Sequence, residues 1–197
     1  GGSGSALPGL VIEKIDSDFV SRTLQQLPMG VALISGTNGK TTTTKIVVEL
    51  LESQGLKVFT NRTGSNFTRG VAAALLGEVD LHGRINADIA VLELDEAYAV
   101  HFVKAIKPNY CLLLNVMRDQ LDRFGEIDNT AKLLHNVAVN TTKCVVLNRD
   151  DPRLSSPDFV NDIESPLRSF GVNPKYLQTF PSDDSLHSNY QSMARLY

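Results

Sequence analysis

The sequence predicts an α/β fold: a doubly wound, mostly parallel sheet in a three-layer αβα arrangement that carries a phosphate-binding loop. Three observations predict it. Short apolar runs alternate with helix-like segments along most of the chain. Several of those runs are almost uninterrupted by polar residues, as strands become when helices cover both faces of a sheet. Finally, Gly36-Thr37-Asn38-Gly39-Lys40-Thr41-Thr42 lies between the apolar run Val31 to Ile34 and a segment of helical periodicity, Lys45 to Leu51. Strand, glycine loop, Lys-Thr and helix, in that order, is the layout of a loop that cradles phosphate.

Taken in order, Gly1 to Ser5 is a Gly/Ser tether, and residues 1–9 read as a flexible lead. The domain that carries the phosphate-binding loop is expected over 10–173. Strands are expected at Gly30–Ser35, Lys57–Thr60, Asp88–Leu94, Tyr110–Val116, Lys143–Leu147 and Leu167–Gly171. Helices are expected at Thr41–Gln54, Asn66–Leu76, Ala97–Lys104 and Asn129–Val139. Gly55 suits the C-terminal cap of the first helix, and Pro108 closes the segment after Lys104. From Pro174 to Tyr197 periodicity fades and Ser, Asp, Asn and Gln accumulate, so 174–197 reads as a polar connector and the chain as a fragment.

Bulk composition narrows the possibilities. A chain of 197 residues, 42% apolar and 21% charged, has the make-up of a globular domain. A net charge of −3 argues against a general nucleic-acid binder. No apolar run approaches the roughly 18 residues of a membrane span. Cys111 and Cys144 lie in separate apolar runs and read as buried thiols of a reducing compartment. His82, His101, His135 and His187 share no ligand spacing with one another or with the cysteines, so no Cys/His metal cage is expected.

The chemistry concentrates where strands end. In the glycine loop, backbone N–H groups and the helix N-terminus face an anion, Lys40 reaches terminal phosphates, and the Thr41 hydroxyl is a magnesium ligand. The spacing is shorter than G-x-x-x-x-G-K-[ST], because Ile34 occupies the first glycine position. A turn with a Thr-capped helix would leave Lys40 at the helix mouth without a purpose, so a nucleoside triphosphate is the expected ligand. The second strand leads into Thr60 to Gly70, whose hydroxyls and amides are candidate contacts to magnesium or the γ-phosphate, with Ser65 or Asn66 as a helix cap. The third strand ends Glu93-Leu94-Asp95-Glu96; Glu93 is placed to serve a nucleotide-bound metal, while Asp95 and Glu96 read as caps of the following helix. The fourth runs through Asn115 into Arg118-Asp119-Gln120-Leu121-Asp122-Arg123, either a salt-bridged surface turn or part of the site.

These motifs, with Asn148-Arg149-Asp150-Asp151-Pro152, occur in the order found in the central ATPase domain of the Mur ligases, which folylpolyglutamate synthase shares. The chain resembles that family from about Leu7 to Asn173. Ala6-Leu7-Pro8-Gly9, the run Thr41 to Thr44, Asn61 to Asn66, Asp95-Glu96-Ala97 and Arg118 to Arg123 resemble a branch whose ligase-like subunit works with a glutaminase. The resemblance implies ATP and Mg²⁺ as cofactors, with Lys40 and Glu93 catalytic. It implies nucleotide contacts from Gly36, Thr37, Asn38, Gly39, Lys40, Thr41, Thr42, Asn148 and Asn173, with a brace of the turn before Pro152 as the other role open to Asn148, and metal ligation by Thr41 and Glu93. It further implies a glutaminase partner (GatD-like), lipid II as substrate, and work at the inner face of the cytoplasmic membrane. Gln120 stands where amino-acid-adding members carry a histidine for a second magnesium, and Lys132 falls at too short a spacing for their carbamylated lysine. The zinc ribbon of the branch has no cysteines here, so zinc is expected only in a part of the pattern that this chain lacks, as is a carboxy-terminal domain. The expected function is ATP-dependent activation of the D-isoglutamyl α-carboxylate for amidation. The alternatives are an amino-acid-adding ligase of the Mur or folylpolyglutamate type, or an ATP-binding module without catalysis.

Overall fold

The computed structural model describes residues 18–61, 68–117, 126–173 and 175. The elements are α1 Phe19–Leu24, β1 Val31–Ser35, α2 Lys40–Ser53, β2 Val58–Thr60, α3 Thr68–Glu78, β3 Ile89–Glu93, α4 Glu96–Ala105, β4 Tyr110–Leu113, α5 Glu126–Val139, β5 Cys144–Asn148, α6 Pro157–Val160 and β6 Leu167–Phe170. The six strands form one sheet in the order β2-β3-β1-β4-β5-β6. Every pairing is parallel, with Leu33 opposite Leu92 on one side and Cys111 on the other. The doubly wound three-layer fold expected from the sequence is therefore present.

Parallel strands need crossovers, and the side chains show why these crossovers pack as they do. Alternate residues of the central strands point to opposite faces. Leu33, Phe59, Leu92, Leu113 and Val145 join the larger core with Leu24 of α1, Leu75 of α3, Phe102 of α4 and Leu134 of α5. Ile34, Val91 and Leu114 face the other way and meet Val48 of α2, with Val47 and Leu51 packed alongside. β3 is buried at all five positions, which accounts for its unbroken apolar sequence.

Two short helices were not anticipated. α1 places Phe19, Val20, Thr23 and Leu24 on one buried stripe. α6 begins with Ser156 as N-cap, its Oγ accepting from Phe159 N at 3.3 Å, and with Pro157 in its first turn. Ser-Pro is a helix-start signal that was legible in the sequence. β4 stops at Leu113 rather than Val116, because Asn115 to Met117 turn over the glycine loop instead of continuing the sheet.

Phe102 is 2% exposed at the centre of the larger core. Phe102→Ala should cost about 3–5 kcal/mol in urea or thermal unfolding. Burial pushes the Cys111 thiol up to about 12, well above its ordinary range. Alkylation of the native protein near neutral pH should accordingly modify half-buried Cys144 first and reach Cys111 only on unfolding, as peptide mapping would show.

Candidate nucleotide site

All strands run the same way, so their carboxyl ends deliver their loops to one edge of the sheet. β1, where the strand order reverses, supplies the glycine loop there. Gly36 has φ +141, and a Cβ on it would sit 3.0 Å from Asn115 N and from Leu114 Cβ. Gly39 has φ +84 and occupies the N-cap position of α2. With no side chain there, no cap hydrogen bond closes the helix, whose intrahelical bonding starts at Thr43 N to Gly39 O, 2.9 Å. The first N–H groups of α2 thus lack intrahelical partners and point out of its positive end. No acidic residue stands in that first turn to balance it.

The β4 connection holds the loop open. Asn115 Oδ1 accepts from Asn38 N at 2.9 Å, and Asn115 Nδ2 donates to Asn38 O at 3.0 Å. Thr37 N donates to Asn115 O at 3.0 Å, and Thr37 Oγ1 accepts from Met117 N at 3.1 Å. Behind this layer lies Asp151, 8% exposed. Its Oδ2 accepts from Val116 N at 2.6 Å, and its Oδ1 from Arg153 N and Leu154 N. Asn148 Nδ2 donates to Leu114 O at 3.0 Å, and its Oδ1 accepts from Asp150 N at 3.0 Å. The Asn148 side chain thus braces the β5 turn against β4, one of the two roles expected of it.

Glu93 ends β3 and is 6% exposed. Its Oε1 accepts from Thr41 Oγ1 at 2.9 Å, joining the two residues expected as metal ligands. Its backbone is gripped by Asn61, whose Oδ1 accepts from Glu93 N at 3.0 Å and whose Nδ2 donates to Glu93 O at 2.8 Å. Ser35 Oγ donates to Leu94 O at 2.8 Å. Lys40 Nζ donates to Gly36 O at 2.7 Å and Thr37 O at 3.3 Å, and pairs with Asp95 Oδ1 at 3.2 Å. Asp95 does occupy the N-cap position of α4, but its side chain makes no cap hydrogen bond. Its carboxylate faces Lys40 instead, which corrects the cap reading.

A cavity of about 530 Å³ opens beside the Thr41–Glu93 pair, lined among the described residues by Thr44, Lys45, Glu49, Thr60 and Asn61 as well as that pair. Thr44 Oγ1 is buried and has no hydrogen-bond partner. Thr42 is exposed in the first turn of α2. Asn173 is exposed beyond β6, its Oδ1 accepting from Lys175 N at 3.0 Å. Ser65, Asn66, His187 and the turn Arg118 to Gly125, including Gln120, lie outside the described residues. Lys132 lies on α5, where it lines a second cavity with His135 and Arg153. The clamping roles of Asn61, Asn115 and Asp151 were missed, although all three stand within or beside motifs visible in the sequence.

The donor set suits a nucleotide with a divalent cation. Gly36 leaves the room that a Cβ would fill, and the helix mouth offers N–H donors to phosphate. The Glu93 carboxylate and Thr41 hydroxyl are hard oxygen ligands. Among the described residues no three His, Cys, Asp or Glu side chains form a metal cage by themselves. The Glu93–Thr41 pair suits a hard divalent cation whose other ligands would be phosphate and water.

Comparison with known proteins agrees with this geometry. The family model described as the Mur ligase middle domain matches residues 34–194. The chain is 36% identical over 164 residues to the MurT subunit of lipid II isoglutaminyl synthase (glutamine-hydrolyzing) from Streptococcus pneumoniae, covering 83% of this chain and 36% of the relative. It is 32% identical over 166 residues to the same-named subunit from Staphylococcus aureus, covering 82% and 36%. Among solved structures, the MurF ligase of Thermotoga maritima in complex with ADP matches with TM-score 0.66 at 23% identity, over 83% of this chain and 36% of that one. The chain belongs to the Mur ligase family, through its middle domain. It spans about a third of the length of the curated relatives it matches.

Because Asn61 fixes Glu93 through the backbone, Asn61→Ala should weaken divalent-metal binding in the presence of ADP by about 10-fold or more, as loss of a ligand's supporting shell does elsewhere. Titration of Mn²⁺ against the ADP complex, followed by electron paramagnetic resonance, would measure it. An affinity equal to that of the unmodified protein would show that Glu93 needs no such support.

Proposed function

We propose that this domain binds Mg-ATP and is the nucleotide-binding part of an ATP-dependent amide ligase. The substrate is the lipid II stem peptide, whose D-isoglutamyl α-carboxylate is phosphorylated and then amidated to D-isoglutamine by ammonia from a glutaminase subunit. The observation that carries the nucleotide reading is the convergence of Lys40, the uncapped start of α2 and the bonded pair Thr41–Glu93 on one strand edge. The resemblance to MurT subunits, above 30% identity over more than four-fifths of the chain, supports the choice of substrate and partner.

The residues divide the work. A carboxylate is a poor electrophile, and phosphorylation converts its oxygen into a good leaving group. As the γ-phosphoryl moves, charge accumulates on its oxygens. Once nucleotide is bound, Lys40 and the N–H groups at the mouth of α2 would hold that charge. Thr41 and Glu93 would hold the divalent cation, which when bound neutralises phosphate charge. The cavity beside them provides room for an acceptor next to the phosphates. A lipid-linked substrate places the reaction at the inner face of the cytoplasmic membrane, although none of the described helices is long and apolar enough to cross one.

The test uses the whole protein with its glutaminase partner, lipid II, Mg-ATP and glutamine, followed by mass spectrometry of the stem peptide. Conversion of carboxylate to carboxamide that requires ATP is the expected result. Phosphate release with an added amino acid, and no carboxamide, would assign an amino-acid-adding ligase instead. Nucleotide binding without either product would leave a module that binds but does not catalyse. In the amidation assay Lys40→Ala should lower the rate by about 10²–10³-fold. Glu93→Ala should leave activity only at greatly raised Mg²⁺. Normal amidation by Lys40→Ala would sink the mechanism.

A further inference from the structure

Lys40 already has partners before any phosphate arrives. Its ammonium group donates to Gly36 O at 2.7 Å and Thr37 O at 3.3 Å, and forms an ion pair with the Asp95 carboxylate at 3.2 Å. The Lys40 side chain is 12% exposed and that of Asp95 36%, so the pair is partly shielded from water. Two features make the pairing specific. Lys40 begins α2, where a cation is repelled by the positive end of the helix and needs an anion beside it. Asp95 occupies the N-cap position of α4, where an aspartate side chain normally bonds backbone N–H groups, yet it makes no cap. Its carboxylate reaches across from the end of β3 to the lysine of β1's loop instead.

From this geometry we infer that Asp95 is a positioning residue that stands in for phosphate on Lys40. Nucleotide binding replaces a carboxylate by a phosphate on the same ammonium group, and loss of the phosphate returns Lys40 to Asp95. The inference rests on the nucleotide reading of the loop. Asp95 keeps the nucleotide-free loop electrically balanced and competes with the nucleotide for Lys40, so it lowers affinity while preserving the loop's shape. No contact between Asp95 and the nucleotide or its metal is required.

The experiment measures ADP affinity by isothermal titration calorimetry, with EDTA and separately with Mg²⁺, for the unmodified protein, Asp95→Asn, Lys40→Met and the double variant. Asp95→Ser is a second neutral replacement that can cap α4, should Asp95→Asn fold poorly. Both neutral variants should bind ADP about two- to fivefold more tightly, with and without metal, the range expected for a partly exposed ion pair. That gain should vanish in the Lys40→Met background, because the competition acts through Lys40. Unchanged or weaker ADP binding by the neutral variants would overturn the inference while leaving the nucleotide reading intact. An equal gain in the Lys40→Met background would also overturn it, by assigning the effect to direct repulsion of phosphate. Weaker binding seen only with Mg²⁺ would make Asp95 a metal ligand instead. Failure of the unmodified protein to bind ADP at all would overturn the nucleotide reading itself.

Discussion

The structure depends on keeping one helix start open. A helix whose first N–H groups lack partners is costly if those groups are buried, and most helices close the gap with a side-chain cap. Here Gly39 supplies none, and a lysine adds positive charge to an already positive end. That combination makes physical sense as a receptor for an anion. The rest of the site serves to hold it in place, with Asp95 balancing Lys40 from the neighbouring strand and Glu93 accepting from Thr41.

Two asparagines do most of the holding, and they do it in the same way. Asn115 bonds the N–H and C=O of Asn38; Asn61 bonds the N–H and C=O of Glu93. A side-chain amide carries a donor and an acceptor side by side, so it can pair with a peptide unit as a neighbouring strand would. Each asparagine lies just past the end of its strand and extends the hydrogen bonding of the sheet by one step. The glycine loop and Glu93 are thereby attached to the most rigid part of the molecule, where parallel strands buried on both faces leave little freedom. Buried Asp151 continues this support into the β5 turn by accepting from Val116 N.

This arrangement also explains why the chemistry sits on one edge. In an all-parallel sheet each carboxyl end faces the same way, so residues far apart in sequence meet. Thr41 and Glu93 are 52 positions apart, and Thr37 and Met117 are 80. The match to the Mur ligase middle domain covers this sheet from the end of β1 onward. The acceptor and the ammonia source would come from elsewhere in the proposed assembly.

Much of this was legible in the sequence, for a simple reason. The glycine loop, Lys40 and Thr41 are consecutive, and the reading of them as a phosphate cradle follows from local backbone geometry. Glu93 stood out because an acid at the end of a buried apolar strand needs a purpose. The alternation of apolar runs and helical segments determined the fold class, since strand and helix periodicities are themselves local. The tertiary structure decided what depends on meetings between distant segments. It set the strand order, turned Asn115 back over the loop, and aimed Asp95 at Lys40 rather than at its own helix. A cap and an ion pair draw on the same carboxylate at the same sequence position. Which partner it takes is decided by the lysine that the neighbouring strand brings within reach.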